Sequence, residues 1–179
     1  MRARKVAIKV WLCALALAVP AGARADAIGD NNLCYAQFVT GDNKAAIGYC
    51  TKAIDSGELS EPDLVAALIN RGVAYKNVGD LDAAVADYTA ALRIVPRDAL
   101  VFQNRANARR EMGDYGPALQ DIEQAIELDP QSAGAWYVRG AIMEAQDDFV
   151  SARKFYMTAL GLDPENEAYK DKILGLDAR

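Results

Sequence analysis

Apolar and small side chains recur along this chain at one fixed period, without gaps, in three consecutive stretches of equal length, 65–98, 99–132 and 133–166. Matching positions hold Leu68, Phe102 and Trp136; Gly72, Ala106 and Gly140; Ala84, Ala118 and Ala152; Tyr88, Ile122 and Tyr156; Ala91, Ala125 and Ala159; and Pro96, Pro130 and Pro164. Midway through the first two stretches stand Gly79-Asp80 and Gly113-Asp114, with Asp147-Asp148 in the third. Glycine ends a helix by accepting a left-handed conformation, and aspartate caps the next by accepting a bond from an orphan amide. The punctuation therefore predicts two helices per stretch, closed by proline. Aspartate tolerates the left-handed conformation better than most residues, so the third turn should survive with some strain. Pro117 falls in the first turn of its helix, where a missing N–H costs nothing.

These matches resemble the tetratricopeptide repeat, a unit of about 34 residues, and cover 102 of 179 residues. The resemblance implies an all-α fold, a right-handed α-solenoid of helix-turn-helix repeats, and a partner-binding scaffold rather than an active site. Repeats one to three are 65–98, 99–132 and 133–166. Counting back from Gly41-Asp42, residues 26–64 read as a degenerate repeat with Leu33, Cys34, Ala46, Cys50 and Ala53 at repeat-like slots. Glu61 to Leu64 are extra there, so this junction is expected to be the least regular part of the array. In 167–179, Tyr169, Ile173 and Leu176 form one helical stripe, suited to capping the last repeat.

Residues 1–25 read as a secretory signal. Arg2, Arg4, Lys5 and Lys9 form a basic start, Val10 to Val19 is uniformly apolar, and Ala23 and Ala25 supply an A-x-A cleavage site. An uncleaved anchor is the alternative, although a bilayer-spanning helix needs about 20 apolar residues. No small residue precedes Cys13, which argues against lipid attachment there. Cleavage near Ala25 would deliver a periplasmic or secreted chain without a membrane span. It would remove five basic residues and no acidic ones, taking the net charge from −5 to −10. Nucleic acid, whose phosphates need clustered cations, is thereby disfavoured as a partner.

In the resembled fold Cys34 and Cys50 face each other across the degenerate repeat's helix pair. An oxidising compartment would join them in a disulfide; buried reduced thiols are the alternative. Arg71, Arg105 and Arg139 occupy a slot where the family usually has leucine, and Asp87 and Asp121 recur one period apart on the second helices. A structural ion-pair ladder is expected, with Asp87 between Arg71 and Arg105 and Asp121 between Arg105 and Arg139.

The resemblance also places a peptide-binding groove on the first helices: Ile69, Asn70 and Val73, with Lys76 and Asn77; Gln103, Asn104, Asn107 and Arg110; and Tyr137, with Val138, Ala141 and Glu144. Amide side chains there could hold the backbone of an extended peptide, with Ile69 and Tyr137 receiving apolar side chains. An ordinary solvated face is the alternative. The two-carboxylate clamp of some family members is not carried over, because Ile69, Val73, Gly134 and Val138 stand where its other groups would lie.

The chain has no histidine, no nucleophile elbow, no phosphate loop and no zinc spacing, so neither an enzyme nor a metal or cofactor site is expected. The expected function is a non-catalytic adaptor of the bacterial cell envelope that binds a protein or peptide partner. A self-associating homo-oligomer without a peptide ligand is the alternative.

Overall fold

In the computed structural model residues 21–177 are described, so most of the expected leader, 1–25, lies outside the described residues. They form α1 (Ala21–Thr40), α2 (Asn43–Asp55), α3 (Glu61–Asn77), α4 (Leu81–Ile94), α5 (Ala99–Met112), α6 (Tyr115–Leu128), α7 (Ala133–Ala145), α8 (Phe149–Leu162) and α9 (Glu167–Asp177), with no strand among them. Each odd-numbered helix packs on the even one after it, and each pair packs on the next. Contacts also run from α1 to α3, α3 to α5 and α5 to α7. That pattern is a helical solenoid whose odd-numbered helices line one side.

Helix starts follow one rule and its exception has a cause. Asp42, Asp80, Asp98, Ser132 and Asp148 each accept a hydrogen bond from the backbone N–H three residues on. Asp114 makes no such bond. The residue three beyond it is Pro117, which has no N–H to give. Gly41, Gly79 and Gly113 take positive φ at the turns, and Asp147 adopts φ 61° at the matching place.

The four extra residues do not loosen the array. Ser60 caps α3 through the Asp63 amide and Pro62 sits in its first turn, so Glu61 to Leu64 become one additional helical turn. Past this turn the degenerate repeat is offset from the first by the common period plus that insertion. On this lengthened offset Cys34, Ala46, Cys50 and Ala53 match Gly72, Ala84, Tyr88 and Ala91, and all eight are buried. A Cys34–Cys50 disulfide with Cα atoms 4.8 Å apart joins α1 to α2, where the other repeats use a glycine or alanine against a larger side chain.

Those small residues are set by their partners. A Cβ on Gly72 would lie 2.7 Å from Tyr88 Cε1, and one on Gly140 2.7 Å from Tyr156 Cδ1 and Cε1. The second repeat uses Ala106 with the smaller Ile122, both fully buried. The core runs continuously, because Phe102 packs against both the first and second clusters and Tyr137 against both the second and third.

Candidate functional site

The inner face is built by α1, α3, α5 and α7. Ile69 and Val73 are half-buried and form an apolar floor over the first core cluster. Asn70 and Asn104, one repeat apart, are also half-buried, and neither side chain makes a hydrogen bond to any described residue. The other expected groove residues are committed elsewhere. Gln103 accepts from Ser132 Oγ at 3.1 Å and fills the space above Gly134, where a Cβ would meet its amide at 2.9 Å. Asn107 accepts from Nε and Nη2 of Arg110, and Arg110 reaches Glu111 at 3.1 Å.

Tyr137 is not an open receiver for an apolar side chain, because its ring lies between Tyr156 at 5.3 Å and Tyr169 of α9 at 5.1 Å. Val138, expected on the groove, is buried in the second cluster. Lys172 of α9 pairs with Glu144 at 2.9 Å, and Tyr156 donates to the same carboxylate at 2.7 Å. Glu144 and Lys172, with Arg110, Ala141 and Ala145, line a recess of about 280 Å³. The far end of the groove is therefore charged and partly roofed by α9. Burial, reinforced by the bond to Glu144, pushes the Tyr156 hydroxyl well above the usual phenol range. Burial does the same for Tyr88, helped by Asp87 and Glu111. The Tyr88 hydroxyl is buried without a hydrogen-bond partner among the described residues.

The arginine ladder has a different wiring from the expected one. Arg71 forks onto Asp87 at 2.8 and 2.7 Å, and Arg105 onto Asp121 at 2.9 and 2.8 Å, each pair lying within one repeat. The expected bridges onward, Asp87 to Arg105 and Asp121 to Arg139, are not formed. Asp121 instead takes a second cation from its own repeat, Arg109 at 2.7 Å. The step between repeats is made by the remaining guanidinium nitrogen: Arg71 Nη1 donates to Thr51 and Arg105 Nη1 to Thr89. Arginine's fork engages one carboxylate through Nε and Nη2, which leaves Nη1 to point back along the rod. For Arg71, burial opposes the charge, but the bonds and field of Asp87 outweigh it and raise the pKa.

In the third repeat Phe155 replaces the aspartate. Arg139 lies over its ring at 4.5 Å and pairs backward with Glu123 at 3.5 Å. Glu123 stands one full period after Thr89, at the same slot. Thr51, Thr89 and Glu123 are thus the inter-repeat acceptors that sequence reasoning missed, and their signal was a common repeat slot behind each arginine, set back further at Thr51 by the extra turn of α3. The next matching positions hold Ile173 and Met157, so the polar rung ends with the array.

The groove also extends onto α1. On the lengthened offset, Asn32, Tyr35 and Val39 match Asn70, Val73 and Asn77. The side-chain amide of Asn77 donates to Asn43 Oδ1 at 3.1 Å, which ties the end of α3 to the start of α2. Among the described residues no helix is long and apolar enough to cross a membrane, and no group of three or more His, Cys, Asp or Glu side chains is arranged to hold a metal ion.

Two tetratricopeptide repeat profiles match the chain, one over residues 65–98 and one over 104–167, together more than half of it. No curated protein is matched. Among solved structures, the MamA fragment from Desulfovibrio magneticus is similar with a TM-score of 0.71 at 20% identity, over 86% of this chain and 85% of that one. The first tetratricopeptide domain of human RPAP3 gives a TM-score of 0.62 at 26% identity, over 65% of this chain and 92% of that domain. The same domain of Spaghetti (RPAP3), bound to the HSP90 peptide SRMEEVD, gives 0.59 at 25% identity, over 64% and 90%. Repeat profiles, continuous helical stacking and recurring turn chemistry agree, and the chain belongs to the tetratricopeptide repeat family.

Proposed function

We propose that this protein is a non-catalytic scaffold of the bacterial cell envelope, exported by the leader at 1–25, that binds an extended segment of a partner protein along its inner face. The observation that carries this reading is the pair Asn70 and Asn104. Both amides sit one repeat apart on the groove line with no hydrogen bond to any described residue, whereas neighbouring Gln103, Asn107 and Arg110 satisfy one another or the next helix. An amide offers a donor and an acceptor on one group, which matches the two polar groups of a peptide unit. Binding of a peptide by the RPAP3 domain and the Cys34–Cys50 bond support the groove and the oxidising compartment respectively.

Affinity capture from the native envelope tests it, comparing the wild type with an Asn70→Ala, Asn104→Ala double variant. Loss of the captured proteins is the expected result, and recovery of the same proteins by both would overturn the groove. A self-associating protein is the second reading. It draws on α9, where Leu174 is 65% exposed and lines an apolar depression with Leu160 and Ile173. Light scattering of the concentrated protein separates the two, since a strict monomer removes the second.

A further inference from the structure

The groove line changes character along its length. On α1 its positions are Asn31, Asn32, Tyr35, Phe38 and Val39, none charged. Tyr35 is 61% exposed and Val39 63%, and Ile28, two turns before Tyr35 on the same stripe, is 47% exposed. The other end carries Arg110, Glu111, Glu144 and Lys172, linked by ion pairs. Large apolar side chains this exposed, side by side on one helix face, mark an interaction surface rather than scattered surface residues.

The stripe is also held in place. Cys34 precedes Tyr35, is fully buried, and is bonded covalently to α2. The last turn of α1 leads through Gly41 into the cap of α2, and Asn43 there is tied to Asn77 at the end of the next groove helix. Among the described residues α1 packs only on α2 and α3, and the staple adds a covalent restraint to that packing on the angle of Tyr35 and Val39 to the rest of the groove. A surface that is rigid before it binds loses less freedom on binding.

From this placement we infer that the disulfide-stapled first repeat is the specificity end of the groove, where Tyr35 and Val39, flanked by Ile28, seat a bulky uncharged apolar residue of the bound segment. The inference rests on the groove reading, with Asn70 and Asn104 holding the same segment's backbone further along. The occupant is an apolar anchor because none of the groove-line positions 28, 31, 32, 35, 38 and 39 carries a charge to pair with a charged one. Charged residues of the partner are directed to the opposite end, where Arg110, Glu144 and Lys172 stand around the recess. The disulfide makes the seat conditional: reduction frees α1 to swing, and the anchor loses its wall.

A phage-displayed library of random peptides, selected on the oxidised full chain, tests this directly. Wild type is expected to enrich peptides with a bulky apolar residue at one fixed position. A Tyr35→Ser, Val39→Ser variant should bind the selected peptides about tenfold more weakly and show no preference at that position in a fresh selection, with its thermal melting unchanged because both side chains are exposed. Reduction with dithiothreitol should weaken wild type by a similar factor and add little to that variant. If the Ser variant binds as wild type does while Asn70→Ala, Asn104→Ala abolishes binding, the groove stands and the apolar seat is refuted. If neither variant alters binding, or no peptide is enriched, the groove reading falls and takes this inference with it. Unchanged binding after reduction would overturn the role of the disulfide.

Discussion

Gly140 and Tyr156 make the tightest side-chain fit in the array, and replacing Gly140 by alanine tests whether that fit governs stability. The new Cβ would lie 2.7 Å from two ring carbons of Tyr156 and 3.2 Å from the Ala152 carbonyl oxygen. The ring cannot step aside, because its hydroxyl is bonded to Glu144 and its face is covered by Tyr137. Helices α7 and α8 must therefore separate. Alanine gains about 1 kcal/mol over glycine in a helix interior. Overpacking costs about 1–3 kcal/mol, and a pinned ring with a backbone oxygen behind it belongs at the upper end. The net loss should be about 2 kcal/mol, or roughly 4–8 °C in Tm for a chain of this size. Combining Gly140→Ala with Tyr156→Ile recreates the Ala106 and Ile122 pair of the second repeat. Urea unfolding of the oxidised protein, followed by far-UV circular dichroism, should show a double variant more stable than the two single effects predict, by about 1–2 kcal/mol. A neutral or stabilising Gly140→Ala, or effects that add within about 0.5 kcal/mol, would refute the reasoning.

Asp121→Ala leaves Arg105 and Arg109 without their carboxylate and should cost about 3–5 kcal/mol, the range for a broken buried pair. Asp87→Ala should cost less, since one guanidinium, Arg71, loses its carboxylate rather than two; equal urea midpoints for the two variants would count against the wiring. Tyr156→Phe loses a bond to a carboxylate and should destabilise by about 1.5–3 kcal/mol, whereas Tyr88→Phe removes an unpartnered buried hydroxyl and should be neutral or stabilising. Both tyrosines have raised pKa values in the folded chain, so their contribution is complete below the unfolded value of about 10 and is lost as pH rises beyond it. Urea midpoints should fall above that pH, and fall less in Tyr156→Phe; a flat profile would exclude the linkage.

The helix turns and packing slots could be read from the sequence because each is fixed locally. A glycine facing a tyrosine, an aspartate after a glycine and a proline at the end carry their physics within one unit. What escaped was set by a neighbour. The arginines were matched with carboxylates alone, and the hydroxyls of Thr51 and Thr89 gave no charge pattern to detect. Tyr137 lies on the groove helix, but a stacked Tyr169 from another element covers it. Asn107 and Gln103 have the residue types of a peptide-holding face, yet Arg110 and Ser132 occupy them. Tyr35 and Val39 fall in a degenerate repeat read only for its small packing residues and cysteines, and an exposed tyrosine and valine carry no repeat signature of their own.

The backward rung explains which part of this rod could grow. A duplicate of residues 99–132 placed after position 132 would bring its own aspartate, find Glu123 waiting for its arginine, and offer Arg139 the same carboxylate in turn. Duplicating 133–166 after position 166 would set an arginine against Met157, with a phenylalanine in place of the internal acid. Gene duplication could thus lengthen the middle of the molecule without new chemistry, while the 133–166 unit lacks the acceptor and the acid that a copy of itself would need.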